Sequence, residues 1–381
     1  MAIDEKVTIH LKMSLLSEGM NFPMDLFEDY PKDFYDNQFV YGQTSKGIVP
    51  KSRFPQVLRL GDDIVTALLR REESPWNLRR EGENISIYHG TDFIRPVSLP
   101  EKPAYFNKVL SDGTLSENII AVAGETTPGF FFYPDCYYFS EKRPCRFCSM
   151  KGTRNSVGKH MVSEFSEENI IEATKLFQSI PWKEIPIISI TSGTPKTDEE
   201  TIEYVLKPTK TMYEALSPKL PIHLLAHPPN NLDLIEEFQK AGVTSIAFNL
   251  ETFDRAQFQY MCPGKDQLYG YEKWWDAIDK AREVFGGSNV FCGLVWGLES
   301  PKSTIEGNNH IASRGINIAS NVFHADSKSK LKAWHHLSTE ETLKISKDLS
   351  KIYRTNPNLR TIFPMSMRST LDWEIYRGDL K

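Results

Sequence analysis

Short apolar runs alternate with helical patterns over the second two thirds of the chain. Buried strands are predicted at residues 130–133, 186–190, 222–226, 245–250, 289–295 and 316–323. Between them, apolar residues recur at helical spacing, as in Ile170, Ala173 and Phe177 after a possible N-cap at Ser166. Strands and helices that alternate in this way are typical of a parallel sheet built from βα units. About six such units are predicted.

Polar side chains follow these strands at their C-terminal ends. They are Cys136, Thr191 and Ser192, His227, Asn249 and Glu251, residues 296–299, and His324 with Asp326. Barrel enzymes carry their chemistry at this edge of the sheet. Six units are too few for a complete eight-stranded barrel, so we predict an α/β fold, a partial (β/α)6 TIM-like barrel, over residues 125–330.

Two extensions flank the predicted barrel. Residues 1–124 are irregular and rich in Pro, Asp and aromatic residues, with one helix predicted around 62–71. We interpret them as an N-terminal extension or cap. Residues 331–381 are predicted to form a C-terminal helical extension.

Composition narrows the class of partner. The 381 residues include 45 Lys and Arg against 50 Asp and Glu, for a net charge of −5. This balance predicts no general attraction to nucleic acid or to an acidic membrane. The chain begins without the pattern of a signal peptide, and no apolar run reaches the roughly 18 residues of a membrane span. We expect a cytoplasmic protein with a small-molecule substrate and with neither nucleic acid nor a membrane as partner.

Three of the five cysteines lie together in an aromatic stretch, at Cys136, Cys145 and Cys148. Three thiolates are one too few for a closed tetrahedral zinc site, but they suffice to hold a [4Fe–4S] cluster by three of its irons. The fourth iron is then open to a ligand. Structural zinc, with His160 or another residue as the fourth ligand, is the alternative for the same cysteines.

This cysteine pattern resembles that of the radical SAM enzymes. The family spaces its cysteines C-x3-C-x2-C with an aromatic residue just before the last, and Cys145-Arg146-Phe147-Cys148 matches the second half. The first half departs from the family because eight residues separate Cys136 from Cys145. Residues 137–144 are expected to fold out of the cluster loop.

Three later stretches resemble biotin synthase and lipoyl synthase in their order and approximate spacing, at residues 246–252, 261–265 and 290–300. The resemblance implies that Asn249 and Glu251 hydrogen-bond the ribose of S-adenosylmethionine (SAM), and that residues 191–194 meet its amino group. Cofactor binding is predicted at Phe147, Thr191, Ser192, Gly193, Asn249, Glu251, Trp296 and Gly297. Substrate contacts are predicted at His227, His324 and Asp326.

The function implied by the resemblance is radical chemistry with a [4Fe–4S] cluster and SAM as cofactors. An electron donor such as a flavodoxin or ferredoxin would drive reductive cleavage of SAM to a 5′-deoxyadenosyl radical. The radical would abstract hydrogen from a small molecule, in a rearrangement, a C–C bond cleavage or formation, or an oxidation. An enzyme with three cysteine ligands at the ends of barrel strands is therefore the leading prediction.

Three other functions stay open. Sulfur or carbon transfer of the biotin and lipoyl synthase kind is disfavoured, because only Cys262 and Cys292 are left over and both are more simply buried thiols. A non-enzymatic iron–sulfur or zinc protein would use the same cysteines without SAM. A metal-dependent barrel hydrolase would draw its ligands from His223, His227 and Asp326.

Overall fold

The computed structural model describes residues 5–23, 25–27, 55, 57–61, 63–101, 103–123, 127–157, 165–179, 187–326 and 328–380. His160, the candidate zinc ligand, lies outside these residues. In chain order the strands are Val57–Arg59 (β1), Val65–Ala67 (β2), Trp76–Glu81 (β3), Asn84–His89 (β4), Asp92–Val97 (β5), Ala121–Ala123 (β6), Thr127–Cys136 (β7), Ile188–Thr194 (β8), Ile222–Leu225 (β9), Ser245–Ala247 (β10), Val290–Trp296 (β11) and Asn317–Val322 (β12).

The helices follow the same numbering. They are Glu5–Glu18 (α1), Tyr137–Ser140 (α2), Met150–Val157 (α3), Glu167–Ser179 (α4), the continuous run Asp198–Thr201, Ile202–Leu206 and Lys207–Ala215 (α5), Leu234–Lys240 (α6), Arg255–Met261 (α7), Tyr271–Phe285 (α8), Pro301–Ser313 (α9), Thr339–Thr355 (α10) and Asp372–Tyr376 (α11). Ile202–Leu206 within α5 and the separate turn Lys265–Tyr269 are π-helical, and Ser116–Asn118 and Gly287–Asn289 are 3-10 turns. Within the described part of the chain, no helix is both long and apolar enough to span a membrane.

A seven-stranded sheet forms the centre of the molecule, in the order β12-β11-β10-β9-β8-β7-β6. Strands β7 to β12 run parallel, each paired with the next along the chain, and β6 pairs antiparallel with β7. Helices connect the successive parallel strands. The predicted partial barrel of six βα units is confirmed.

Alternation along the strands separates an outer face from an inner one. Ile190, Leu224, Ile246 and Val290 stand in one row of the register and belong to the main hydrophobic core. The next row, which holds Thr191, Leu225, Ala247, Phe291 and Asn317, faces the other way, into the barrel. The inner face is therefore part polar and part apolar.

Local hydrogen bonds cap helix ends at two positions. The Ser166 hydroxyl accepts a hydrogen bond from the Asn169 N–H at 3.1 Å, which caps α4 as its sequence predicts. Gly242 adopts φ +96° directly after α6, and its N–H donates to the Gln239 carbonyl.

The helix predicted around residues 62–71 is wrong, because this stretch contains strand β2. Val65, Thr66 and Ala67 pair antiparallel with β1, and the Ala67 N–H donates to the Arg368 carbonyl at 2.7 Å. β-branched residues favour this extended conformation. Tertiary pairing with residues distant in sequence overrides the local helical pattern.

Helix α1 joins the N-terminal part of the chain to the barrel through two apolar faces. Ile9, Met13 and Leu16 pack in the main hydrophobic core. Leu11 and Leu15 pack in a second core beneath the antiparallel sheet of β3, β4 and β5. The helix is thus apolar on both sides, as expected for an element buried between two layers.

A C-terminal segment, residues 365–372, runs across the open side of the partial barrel. The Val322 N–H on edge strand β12 donates to the Ser369 carbonyl at 2.8 Å. At the other end, the Thr127 hydroxyl at the start of β7 donates to the Met365 sulfur at 3.7 Å. The segment therefore occupies the exposed edge that β12 would otherwise present.

A buried ion pair fastens α1 to α11, which directly follows this C-terminal segment. Lys12 Nζ lies 2.6 Å from Glu374 Oε1, and both side chains are fully buried. The same ammonium donates to Ser366 Oγ at 3.1 Å and to the Met367 carbonyl at 2.8 Å. The charge is fully hydrogen-bonded, which a buried ammonium requires.

Replacement of one partner of this pair leaves the other charge buried and alone. We expect Lys12→Met to lower the free energy of unfolding by about 3–5 kcal/mol, and the double variant Lys12→Met/Glu374→Leu to recover most of that loss. Urea unfolding followed by circular dichroism measures both. A double variant as unstable as the single one would contradict the assignment of the loss to an unpaired charge.

Candidate active site

The first cysteine stands where strand β7 turns directly into α2. The Asp135 carboxylate accepts a hydrogen bond of 2.8 Å from the Cys136 N–H. Strand β8 approaches this turn so closely that a Cβ on Gly193 would lie 1.6 Å from the Asp135 carbonyl oxygen. Gly193 is therefore required for the shape of the turn, whatever else it contacts.

We call residues 136–148, which carry the three clustered cysteines, the cysteine loop. Residues 137–144 are expected to fold out of this loop, but the structure anchors them in the barrel. Tyr138 is only 1% exposed, and its hydroxyl lies 2.6 Å from His227 Nε2. His227 Nδ1 donates to the Pro228 carbonyl at 2.6 Å, which leaves Nε2 free to accept from Tyr138. Only residues 140–143, at the tip, are exposed.

The His227 ring is neutral and enclosed by aromatic side chains. Burial, and after it the Lys265 ammonium, lower the pKa of His227 to about 3. The ring packs edge-to-face against Tyr269 and Trp274, with centroid distances of 4.8 and 4.9 Å. Both ring nitrogens are used within the protein, so His227 holds the cysteine loop here, and its contact with substrate stays a prediction.

The second half of the cysteine loop is held by the end of α7. The Arg146 N–H donates to the Met261 carbonyl at 2.8 Å, and Arg146 Nε donates to the Tyr260 carbonyl at 2.7 Å. Just beyond the helix, a Cβ on Gly264 would lie 2.5 Å from the Arg143 carbonyl oxygen. The loop and the segment 261–265 are therefore in direct backbone contact.

Lys265 extends this contact to the end of strand β10. Its ammonium donates to Glu251 Oε1 and to the Asn249 carbonyl, both at 2.8 Å, and lies 4.4 Å from the centroid of a Trp274 ring. Burial acts to lower the pKa of Lys265, but the Glu251 carboxylate together with the Cys145 and Cys262 sulfurs raises the pKa above its ordinary value. The lysine therefore stays protonated.

Glu251 and Asn249 are both held in unusual surroundings. Glu251 has φ +77°, a left-handed conformation that is rare outside glycine and recurs at functional sites. Its N–H donates to the Gly293 carbonyl at 2.8 Å. Asn249 packs so tightly on Gly293 that a Cβ there would lie 2.5 Å from the amide carbon. Asn249 Oδ1 is buried without a hydrogen-bond partner, and such an acceptor is suited to a bound ligand.

The three clustered thiols differ in their acidity. Burial raises the pKa of Cys136, and burial together with the Cys145 sulfur raises the pKa of Cys148 to about 12. A hydrogen bond from the Cys262 thiol lowers the pKa of Cys145. Burial opposes this effect, and the Lys265 ammonium adds to the lowering. Cys262 itself is buried, which raises its pKa and keeps it a thiol. Cys145 is thus the thiol most ready to ionise.

Cys136, Cys145 and Cys148 act electrostatically on one another but are not arranged around a single ion. Within the described ranges, no three His, Cys, Asp or Glu side chains converge closely enough to hold one metal ion. Thiolates on a single tetrahedral zinc would lie about 3.8 Å apart. In a cluster each thiolate binds a different iron, so wider spacing is expected.

The candidate SAM residues on β8 lie within the strand and not after it. The strand continues to Thr194, so Thr191 and Ser192 pair with β7 residues. Thr191 belongs to the inner row, whereas the Ser192 hydroxyl donates to the Gly193 carbonyl at 3.0 Å. Phe147, between the last two cysteines, packs at the margin of the main core.

The two candidates at the end of β11 are both buried. Trp296 is completely buried, and its indole Nε1 has no hydrogen-bond partner. Gly297 adopts φ +104°, and its carbonyl accepts from the Trp334 indole at 2.9 Å. Gly297 thereby turns the chain away from the sheet.

Glu299 has a structural role at the same edge. Its carboxylate accepts hydrogen bonds from the Phe253 and Asp254 N–H groups at 2.8–3.0 Å and from the Ser303 hydroxyl at 2.7 Å. Burial raises the pKa of Glu299 above its ordinary value. The side chain fixes the backbone that follows Glu251.

His324 and Asp326 lie beyond β12, and two arginines act on His324. Burial, and after it the Arg368 guanidinium, lower the pKa of His324 to about 4, and Arg71 also contributes. Asp326 is buried, with Oδ1 accepting from the Lys328 N–H at 2.8 Å and Oδ2 without a partner. The Asp326 carboxylate acts to raise the pKa of His324, so the two predicted substrate residues are neighbours.

The ligand set of a barrel hydrolase is not brought together. The ring of His223 lies on the inner face, hydrogen-bonded to Ser245 Oγ at 2.8 Å, and burial lowers its pKa to about 3. His227 is engaged with Tyr138. In the part of the chain that the structure covers, these residues and Asp326 form no group able to bind an ion.

Sequence reasoning alone did not identify four residues at the centre of this site. They are Tyr138, Cys262, Lys265 and Trp274. A signal exists for two of them, because the run Met-Cys-Pro-Gly-Lys at 261–265 contains both Cys262 and Lys265. Its packing against the cysteine loop is a tertiary contact that no local pattern encodes.

Comparison with known proteins gives matches of two kinds. Residues 135–306 match the family model described as the Radical SAM superfamily. The bacteriochlorophyllide c C-7(1)-hydroxylase of Chlorobaculum limnaeum is 22% identical over 324 residues, which is 82% of this chain and 76% of the relative.

Solved structures are also similar. The FeFe-hydrogenase maturase HydG of Carboxydothermus hydrogenoformans is 16% identical with a TM-score of 0.48, over 66% of this chain and 56% of that one. The coproporphyrinogen III oxidase HemN of Escherichia coli is 15% identical with a TM-score of 0.41, over 66% and 57%. The chain spans little more than half the length of either.

The matched range begins one residue before Cys136 and includes Asn249, Glu251 and Lys265. It holds the cysteine loop, the strand ends to which that loop is bound and the glycines on which the contacts depend. Residues 135–306 of this chain, which contain the cysteine loop described above, are therefore similar to the radical SAM superfamily.

Proposed function

We propose that the protein is a radical SAM enzyme in which Cys136, Cys145 and Cys148 hold a [4Fe–4S] cluster. The observation that carries this proposal is the chain of contacts from the cysteine loop to the end of β10. Segment 261–265 touches the loop by backbone hydrogen bonds and touches Glu251 through Lys265. Residues that would hold the cluster and residues that would hold SAM thus form one packed unit.

The cofactors supply the reactive species, and the protein supplies its surroundings. When bound, the cluster and SAM provide a 5′-deoxyadenosyl radical that abstracts hydrogen from a substrate carbon. The chain's own task is to orient both groups and exclude water. Tyr138, Tyr269 and Trp274 form an aromatic wall around His227 at the edge of the cysteine loop.

Asn249 and Glu251 are proposed to bind the ribose of SAM, as in the biotin and lipoyl synthase branch that their sequence resembles. The unpartnered Asn249 Oδ1 supports this role, because it offers a buried acceptor for a hydroxyl donor. Lys265 fixes the Glu251 carboxylate from one side at 2.8 Å. The Glu251 orientation is therefore set before any ligand binds.

We place a small-molecule substrate next to His324 and Asp326, where Arg71 and Arg368 contribute positive charge. The curated relative is named as a hydroxylase of a bacteriochlorophyllide, which puts oxidation of a small molecule first among the possible outcomes. Sulfur transfer gains no support, because Cys262 and Cys292 are both fully buried.

Loss of any one clustered cysteine should remove the cluster and the reaction together. After anaerobic reconstitution with iron and sulfide, we expect Cys136→Ala, Cys145→Ala and Cys148→Ala to lack the reduced-cluster signal in electron paramagnetic resonance. With reductant and SAM they should form neither 5′-deoxyadenosine nor methionine. Cys292→Ala is the matched control and should retain both. Product formation by the three variants at the control's rate would rule out the proposal.

The anchor of the cysteine loop should determine how well the cluster is retained. Tyr138→Phe removes a buried hydrogen bond worth about 1 kcal/mol, and Gly264→Ala forces a Cβ to within 2.5 Å of the Arg143 carbonyl oxygen. We expect lower iron and sulfide content per chain in both, with the larger loss in Gly264→Ala. Tyr376→Phe, at an exposed tyrosine, is the control. Full iron content in Gly264→Ala would show that the loop needs no such contact.

Asn249→Ala should weaken SAM binding without removing the cluster. Loss of a buried hydrogen bond to the ligand is expected to raise the dissociation constant for SAM about tenfold, as measured by equilibrium dialysis with the reconstituted protein. Asn309→Ala, on the exposed face of α9, is the control. Equal affinity in both variants would remove Asn249 from the SAM site.

A further inference from the structure

The surface directly outside the cysteine loop is basic, although the chain as a whole is acidic. Residues 140–151 and 328–334 carry seven Lys and Arg against one acid, Glu141, whereas the whole chain has 45 basic and 50 acidic residues. We call the surface formed by these two stretches the basic face. Its charged side chains include Lys142, Arg143, Arg146, Lys151, Lys330 and Lys332.

Two contacts bring the two stretches of the basic face together. The Lys330 N–H donates to the Arg146 carbonyl at 2.9 Å. Gly152 and Lys328 are in contact, because a Cβ on Gly152 would lie 2.7 Å from the Lys328 Cβ. The basic face is therefore one continuous surface, assembled from segments that lie about half the chain apart.

An aromatic group lies beside these charges. Tyr260 is 45% exposed, with the Arg146 guanidinium 4.1 Å from its ring centroid. The Trp334 ring lies 6.5 Å from the same ring. Exposed aromatic residues and arginine are the side chains that most often anchor a protein partner, and lysines around them form a polar rim.

The basic face is also the surface next to the cysteines. Arg146 stands between Cys145 and Cys148 in sequence, and its side chain reaches the surface at Tyr260. Electron transfer falls steeply with distance, so a protein that delivers an electron to this site must dock close to the loop. Charge complementarity then requires an acidic protein.

We propose that the basic face, with Tyr260 and Trp334, is the docking site of a small acidic protein that carries single electrons. This inference rests on the proposed function, since it requires a cluster at the loop. One electron leaves the reduced carrier, which is thereby oxidised. The same electron is consumed when the C5′–S bond of SAM breaks to give methionine and the 5′-deoxyadenosyl radical.

The test compares a protein donor with a small chemical one. The variant Lys330→Glu/Lys332→Glu reverses two exposed charges on the basic face. The control variant Lys207→Glu/Lys210→Glu reverses two exposed charges on helix α5, outside the basic face. With a reduced flavodoxin as donor at low salt, we expect SAM cleavage by the first variant to fall at least about fivefold, and cleavage by the second to stay near the unsubstituted rate. With dithionite, all three proteins should react alike.

Direct binding gives a second readout that does not depend on turnover. Calorimetric titration of the reconstituted protein with oxidised flavodoxin should show affinity that weakens from about 20 to about 300 mM salt and that is lost in Lys330→Glu/Lys332→Glu only. Equal rates of SAM cleavage by both variants with flavodoxin would overturn the docking site. So would a loss of SAM cleavage by Lys330→Glu/Lys332→Glu with dithionite that equals its loss with flavodoxin. Binding of a single-stranded RNA oligonucleotide in place of flavodoxin would overturn it in favour of nucleic acid. Absence of SAM cleavage with dithionite in the unsubstituted protein would instead refute the proposed function.

Discussion

A buried ammonium group determines the arrangement of the site. Lys265 is 8% exposed, and a lysine so enclosed keeps its proton only if acceptors surround it. The Glu251 carboxylate, the Asn249 carbonyl and a Trp274 face provide them. Asn249 and Glu251 follow β10 and Trp274 lies in α8, so the charge links the end of β10, the helix α8 and the segment beyond α7. The Cys145 thiolate is favoured first by the hydrogen bond from Cys262 and then by the Lys265 ammonium. Lys265 thus contributes both to the acidity of Cys145 and to the orientation of the Glu251 carboxylate.

Glycine makes the close approach of these segments possible. At Gly193, Gly264 and Gly293 a Cβ would lie 1.6–2.5 Å from a neighbouring atom. At Gly193 and Gly264 that atom is a backbone oxygen, so movement of a side chain could not relieve the clash. The widened spacing between the first two cysteines is accommodated by the same close packing. Tyr138 enters the barrel from the added residues and binds His227, so the longer loop has its own support. A departure from the family spacing therefore carries a compensating contact within the same loop.

Periodicity predicted the barrel well and its boundaries less well. Six parallel strands follow from apolar runs separated by helical patterns, and caps such as Ser166 follow from local hydrogen bonding. Strand β2 was not predictable, because besides its neighbour β1 it is hydrogen-bonded to Arg368, which is distant in sequence. Asn249 and Glu251 were identifiable from their position after a buried strand. Lys265 and Tyr138 act through tertiary contacts, and the basic face combines two segments whose charges are unremarkable when each is read alone.

An open barrel and the proposed radical chemistry make opposing demands, and the extensions reconcile them. A partial barrel leaves strand β12 with an exposed edge through which water could reach the inner face, whereas a carbon radical must be shielded from side reactions. The segment 365–372 covers that edge and reaches the start of β7. Lys12 holds this segment in turn, so α1 in the N-terminal part of the chain and Glu374 in the C-terminal part stabilise the segment together. A loss of this ion pair therefore acts on the enclosure of the inner face as well as on stability, because the same segment serves both.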